Sequence, residues 1–332
     1  MTAVGPTLQD IAATRAAIAA AVAVTPIHHW RGPGIAQRVA PGTQVIVKFE
    51  LLQETGSFKA RGAIAAAQQL TAEERARGIT ALSAGNHAIA ASWAARSVGS
   101  HARIVMPRTA SPVRVARAEA YGGQIVLVDD VVQGIAEMER LIAEEGRVLL
   151  HAFENPFTIR GTGTLGLEML EQAGHLDAVI VAIGGGGLSA GVAAAIKQAA
   201  PQTLVIGVEP TGADGMRQSF AAGRAIPTLP RPATIADSLA PPFTLPLTYA
   251  VNRHYLDDLI TITDQQMAEA QALILDELKA MVEPACAAGT AALIGPLRER
   301  LAGQRVGVLL CGSNTDRATF DRHQALLTEA AA

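Results

Sequence analysis

Short apolar runs that end in polar or glycine-rich turns recur along the chain, and this pattern constrains the fold more than any other feature. Residues 45–52, 79–82, 177–183 and 306–310 each read as such a run. Ligands of open α/β sheets collect where strands end in turns of this kind. The turns that follow the four runs are Ser57-Phe58-Lys59-Ala60-Arg61-Gly62, Ser83-Ala84-Gly85-Asn86-His87, Gly184-Gly185-Gly186-Gly187-Leu188 and Cys311-Gly312-Ser313-Asn314.

Strand-like and helical segments alternate, which predicts an α/β fold with mostly parallel sheets and helical crossovers. A chain of 332 residues exceeds one typical domain, so two domains are expected. We assign residues 71–152 to a small domain, and residues 1–70 plus 153–332 to a large one, with the ligand site between them. Between 71 and 152, strands are expected at 103–106, 124–128 and 148–153, and helices at 112–121 and 131–144.

Other segments are predicted from local signals. A helix is expected within residues 11–24, with Thr7 and Asp10 capping its start. Prolines between residues 209 and 248 indicate an irregular segment, and residues 264–281 indicate a helix. Residues 161–166 formally fit a dinucleotide-binding glycine pattern, but a loop rather than a strand is expected before them, so no dinucleotide site is predicted.

Composition excludes several classes of partner. The net charge of -3 and pI near 6.2 give no broad attraction to nucleic acid, so small metabolites are the expected partners. Two cysteines provide neither a disulfide framework nor a close-spaced metal pair. The N-terminal segment has no basic n-region and no membrane-spanning run. We therefore expect a cytoplasmic protein that contacts neither membrane nor nucleic acid.

Lys59 is the first candidate for chemistry. Lysine forms an imine with a carbonyl cofactor, and burial lowers the pKa of the amine so that it becomes available. An ordinary surface lysine is the commoner outcome for such a short match, so the assignment depends on partners elsewhere in the chain.

The four turns, in this order and with this spacing, resemble those of the serine/threonine dehydratase and serine racemase family. The resemblance covers about residues 25–316. It implies a fold-type II pyridoxal-phosphate enzyme, similar to the tryptophan synthase β subunit, with two three-layer αβα domains. It also implies a homodimer or homotetramer.

The resemblance assigns roles to the turns around pyridoxal 5'-phosphate. Phe58 and Lys59 would lie at the cofactor, with Lys59 as both anchor and base. Asn86 would hydrogen-bond the phenolic oxygen of the cofactor. Cys311 would face the pyridine nitrogen as a neutral partner, which gives a weaker electron sink than aspartate and suits elimination. Backbone N–H groups at a helix start suit a phosphate, and the residues expected there are Gly184, Gly185, Gly186, Gly187 and Leu188.

The substrate is expected to contact Ser83, Ala84, Asn86 and His87. His87 could equally cap its own helix. Similar serine racemases carry a serine at the position of Ala84, and alanine cannot protonate the second face of the substrate. Phe153 also matches the dehydratase-like pattern, where racemases have asparagine.

These residues predict an ammonia-lyase that converts L-threonine or L-serine to 2-oxobutyrate or pyruvate plus ammonia. The alternatives are a dehydratase of another β-hydroxy amino acid such as 3-hydroxyaspartate, a serine racemase, or a non-catalytic cofactor-binding protein.

A monovalent cation, potassium or sodium, is a further expectation. By the resemblance, Glu209 and the backbone carbonyls of Ala213 and Gly215 would hold it, because divalent-binding relatives carry a second acidic residue where this chain has Gly215. The alternative is that Glu209 only caps the following turn.

Overall fold

The computed structural model describes residues 4–329, which fold into two β-sheets covered by α-helices. One sheet has six strands in the order β1-β2-β10-β7-β8-β9, and the other has four in the order β5-β4-β3-β6. Every pairing is parallel except that of β1 with β2. The strands are β1 Ile27–Trp30, β2 Gln44–Lys48, β3 Ile79–Leu82, β4 Ala102–Pro107, β5 Gly123–Val128, β6 Val148–Leu149, β7 Ala178–Ala182, β8 Leu204–Pro210, β9 Asp258–Ile262 and β10 Arg305–Leu309.

Helices connect the parallel strands and bury them on the inside of the molecule. Helices α9 and α13 pack on β7 and β8, and α5 and α7 pack on β3 and β4. The predicted α/β class with mostly parallel sheets is confirmed. The helices are α1 Leu8–Ile18, α2 Pro33–Arg38, α3 Lys59–Ala67, α4 Ala72–Arg77, α5 Asn86–Ser97, α6 Pro112–Ala120, α7 Val131–Glu145, α8 Pro156–Ala173, α9 Gly187–Ala199, α10 Gly215–Ala222, α11 Pro246–Tyr255, α12 Asp264–Leu278, α13 Pro284–Ile294 and α14 Arg317–Glu329.

The strands of the four-stranded sheet all lie between residues 79 and 149. The strands of the six-stranded sheet come from the chain before and after that segment. The division at residues 70 and 152 stays a prediction, since sheet membership does not set a domain boundary. No helix within residues 4–329 combines the length and the apolarity needed to cross a membrane.

Two predicted strands are shorter than the apolar runs suggested. The run at 45–52 forms a strand only to Lys48, and Glu50–Leu52 is a turn of 3-10 helix. In that turn the N–H of Leu51 still donates to the carbonyl of Leu310. The run at 148–153 forms a strand only over β6, and the N–H of Leu150 still donates to the carbonyl of Thr80 at 2.9 Å. Beyond it, the N–H groups of residues 153 and 154 donate to the ring of His151.

Four other expectations need correction. The first helix begins at Leu8, with Thr7 and Asp10 forming the predicted capping box, but it ends at Ile18. The segment 209–248 is not wholly irregular, since it contains α10 and the start of α11. Helix α12 ends at Leu278 because Lys279 adopts a left-handed conformation, with φ 57°. The loop expected directly before residues 161–166 is instead the first part of α8, which begins at Pro156.

Candidate active site

A cavity of about 520 Å³ lies between the two sheets, within the usual size range of small-molecule sites. All the predicted cofactor and substrate residues line it: Phe58, Lys59, Ser83, Ala84, Asn86, His87, residues 184–188 and Cys311. They come from four separate turns at the carboxyl ends of parallel strands or just beyond them. The predicted cation residues do not line this cavity.

Lys59 is the first residue of α3 and reaches into the cavity. The preceding turn is held to the end of β10, because the N–H of Phe58 donates to the carbonyl of Cys311 at 3.0 Å. The Lys59 Nζ donates to the carbonyl of Ala152 at 2.7 Å. Desolvation inside the cavity lowers the pKa of Lys59 to about 8. The amine is therefore available as a nucleophile and base near neutral pH.

Two histidines beside Lys59 stay neutral. Burial, and next to it the charge of Lys59, lowers the pKa of His87 to about 3 and that of His151 to about 4. The His87 Nε2 donates to the carbonyl of Leu150 at 2.6 Å, so the ring is held by a neighbouring segment and does not cap its own helix. Neither histidine therefore adds a positive charge next to the lysine.

The glycine turn forms a cradle that side chains would fill. A Cβ at Gly185 would lie 2.2 Å from the Phe153 ring, and Gly186 has φ +83°. The carbonyls of Gly186 and Gly187 accept hydrogen bonds from Asn252 and Thr162, so they are directed toward protein donors. Helix α9 starts here, and its first N–H groups have no acceptor within the helix. This arrangement suits a phosphate.

A buried polar network that sequence reasoning missed stands behind Asn86. The Asn86 Nδ2 donates to both carboxylate oxygens of Glu283 at 3.0 Å, and its Oδ1 accepts from Asn314. Glu283 also accepts from Arg114 at 3.1 Å and from Ser238 at 3.2 Å. Both ends of the Asn86 amide are therefore fixed in orientation by protein partners.

Glu283 and Arg114 could be recognised in the sequence only weakly. Glu283 precedes the proline that starts α13, and Arg114 lies in the first turn of α6. Their partners are distant in sequence, and Arg114 additionally pairs with Asp237. The guanidinium of Arg114 lies about 3.4 Å from the Cβ position of Gly85. The turn predicted to hold the substrate carboxylate therefore lies beside an arginine that is already paired with two carboxylates.

Cys311 lies in the cavity wall beside a second thiol. Its Sγ is 4.0 Å from the carbonyl of Ala285, and Cys286 lies against it. Burial raises the pKa of the Cys286 thiol, so this thiol is protonated and neutral at physiological pH. That Cys311 faces the pyridine nitrogen of the cofactor stays a prediction.

In the structure Glu209 caps a helix, whereas the first expectation was that it binds a cation. Its two carboxylate oxygens accept the N–H groups of Met216 and Arg217, both at 2.8 Å, which caps α10. The carbonyl of Gly215 accepts from the Ser219 hydroxyl. Burial raises the pKa of Glu209 to about 8. The geometry favours the capping alternative, and the cation site stays a prediction.

Large apolar side chains line two parts of the cavity. Val131, Ile135 and Met138 come from α7. Phe153 lies against the glycine turn, and the centroid of its ring is 6.1 Å from that of Phe243. An apolar group that contacts these side chains would be desolvated.

Comparisons with known proteins agree with this geometry. Residues 18–312 match the family model described as pyridoxal-phosphate dependent enzyme. The chain belongs to this family. It is 48% identical to phenylserine dehydratase of Ralstonia pickettii, with 97% of both chains covered. It is 37% identical to L-threonine ammonia-lyase of Thermotoga maritima, over 85% of this chain and 70% of the relative. The solved structure of maize serine racemase superposes with a TM-score of 0.89 at 36% identity, covering 99% of each chain.

Pyridoxal 5'-phosphate is accordingly the cofactor, and the residues present fit it. The cradle at 184–188 suits its phosphate, and Lys59 is an available amine in the same cavity. When bound, the cofactor withdraws electrons from the Cα of an amino acid. Asn86 and Cys311 line the same cavity as Lys59 and would hold the cofactor ring. The assignment of each contact stays a prediction.

Proposed function

We propose that this enzyme dehydrates β-hydroxy amino acids with a large apolar β-substituent, and that 3-phenylserine is its preferred substrate. The net reaction releases the amino group as ammonia and gives the 2-oxo acid, here phenylpyruvate. L-Threonine and L-serine, the substrates predicted from the sequence, are then smaller substrates of the same site. The observation that carries the proposal is the set of large apolar side chains that line the cavity together with Lys59.

The residues support elimination in the following way. Lys59 in its neutral form accepts the proton from Cα, which its lowered pKa allows near neutral pH. The turn at 83–87 binds the substrate carboxylate through its polar groups, and the nearby Arg114 is already paired with Asp237 and Glu283. Ala84 has no proton to give to the opposite face of Cα. With the proton from Cα held on Lys59 and none available on the other face, the substrate would lose its β-hydroxyl as water and keep its configuration up to that point.

The preference for an aromatic substituent follows from burial. Full burial of a large apolar side chain is worth about 1.5–3 kcal/mol, which corresponds to about a tenfold to hundredfold gain in kcat/KM over a methyl-sized substituent. The similarity to phenylserine dehydratase over 97% of both chains supports the same choice. A 3-hydroxyaspartate side chain would place a carboxylate against the apolar wall, which is unfavourable.

The test measures kcat/KM of the cofactor-loaded enzyme for 3-phenylserine, L-threonine, L-serine and 3-hydroxyaspartate, with 2-oxo acid and ammonia quantified together. We expect equal amounts of both products and the highest value for phenylserine. Lys59→Ala is the control and should show no turnover. A higher value for threonine than for phenylserine contradicts the substrate preference, and turnover by Lys59→Ala contradicts the assigned site.

Three further expectations from the sequence belong to this proposal. They are a cytoplasmic location, a homodimer or homotetramer, and binding of potassium or sodium near Glu209. Size-exclusion chromatography with light scattering tests the oligomer directly.

A further inference from the structure

Helix α7 presents an apolar stripe to the cavity. Val131, Ile135 and Met138 are spaced by four and three residues, which places them on one face of a helix. Val131 is 53% exposed and Ile135 is 38% exposed, although both are large and apolar. Exposed apolar side chains on a concave wall indicate an apolar ligand.

Two aromatic rings also line the cavity, and that of Phe153 lies against the glycine turn. Phe153 and Phe243 come from separate segments, with Pro241 and Pro242 next to the second ring. Glu154, which follows Phe153, accepts the N–H groups of residues 247 and 248 at the start of α11. The segment carrying Phe243 is thus fixed relative to Phe153.

The stripe stands next to the turn that would bind the amino acid. Leu82 immediately precedes Ser83 and lies against α7, since a Cβ at Gly134 would be 2.9 Å from its methyl carbon. Leu82 also lines the cavity. A substrate whose carboxylate lies at Ser83 could therefore direct its β-substituent along Leu82 toward Ile135.

Charge on this side of the cavity is already neutralised. Arg114 is the arginine among the described residues that line the cavity. Its guanidinium is paired with both Glu283 and Asp237. An anionic substituent would find no unpaired arginine there. The walls therefore select for an uncharged group.

We propose that Val131, Ile135 and Met138 form the subsite for the aryl group on the substrate Cβ. Ile135 and Met138 are then specificity-determining residues. This inference rests on the proposed function, because it assigns the residues that would select phenylserine.

The experiment compares Ile135→Ala with Val132→Ala in the cofactor-loaded enzyme. Val132 lies on the same helix, is 76% exposed and does not line the cavity, so it is a matched control. For Ile135→Ala we expect kcat/KM for 3-phenylserine to fall about tenfold, mainly through KM, with the value for L-serine within about twofold. Val132→Ala should change neither substrate.

A binding measurement separates this inference from the proposed function. L-Phenylalanine has the aryl group but no β-hydroxyl, so it cannot be dehydrated. Calorimetric titration should show about tenfold weaker binding of L-phenylalanine to Ile135→Ala than to the wild type, and unchanged binding of L-alanine. Ile135→Asn provides a second variant that keeps most of the volume and should weaken L-phenylalanine binding similarly.

The outcomes are distinct. Equal losses for phenylserine and serine, or unchanged constants for Ile135→Ala, overturn the subsite. If phenylserine is not dehydrated but L-phenylalanine binding depends on Ile135, the subsite stands and the proposed function fails. If L-phenylalanine does not bind in an Ile135-dependent way, the subsite is wrong whatever the enzyme turns over.

Discussion

Gly185→Ala should weaken cofactor binding because its new methyl group collides with the Phe153 ring. The added Cβ would lie 2.2 to 2.4 Å from three ring atoms. The ring would have to move by about 1 Å, toward the space predicted for the cofactor. Overpacking of this kind costs about 1–3 kcal/mol, which corresponds to roughly 5- to 150-fold weaker binding of pyridoxal phosphate.

The assay is titration of the apo protein with pyridoxal phosphate, followed by absorbance. Gly223→Ala is the matched control, because Gly223 has φ +68° and nothing within 4 Å of its Cβ position. That control should lower stability through backbone strain without changing cofactor affinity. Adding Phe153→Ala to Gly185→Ala should restore part of the affinity. Wild-type affinity in Gly185→Ala, or an equal loss in Gly223→Ala, would refute the reasoning.

Three further predictions follow from named charges. The rate at which the apo protein binds pyridoxal phosphate should rise with pH and level off above about 8, because desolvation lowers the pKa of Lys59. Stopped-flow absorbance measures this rate, and a rise that continues toward pH 10 contradicts the prediction. Arg61→Leu leaves the buried Glu50 and Glu168 without their shared partner and should destabilise the fold by about 3–5 kcal/mol in urea unfolding, whereas a change below about 1 kcal/mol would show that the cluster is dispensable. Glu209 binds its proton more tightly in the folded protein, so the stability of the wild type should fall as pH rises from about 5 to 8. Thermal unfolding of Glu209→Gln should show a weaker dependence on pH. Stabilisation of the wild type above pH 8 by potassium, but less by choline, would support the cation site.

The parts of the site that sequence reasoning found share one property. Lys59, residues 184–188 and Cys311 each come within a few residues of an apolar run, and parallel strands bring such turns to one edge of a sheet. Local pattern therefore sufficed for them. The same logic predicted the sheets, since β7 is buried along its whole length.

The missed features depend on contacts between distant segments. Glu283 matters because Asn86 and Arg114 reach it from other elements, at separations of 197 and 169 residues. Beyond strand β6, His151 accepts two backbone N–H groups, which an apolar run does not reveal. Helix α10 was missed because glycine and proline dominate its surroundings, while its start is stabilised by Glu209 of a neighbouring strand.

The most direct measurement is proton NMR in D2O of the cofactor-loaded enzyme with 3-phenylserine, followed by chiral analysis of the remaining amino acid. The account predicts phenylpyruvate and ammonia, with the residual phenylserine unchanged in configuration at Cα. Deuterated phenylserine of inverted configuration with little oxo acid would contradict it, because Ala84 would then not prevent reprotonation of the second face.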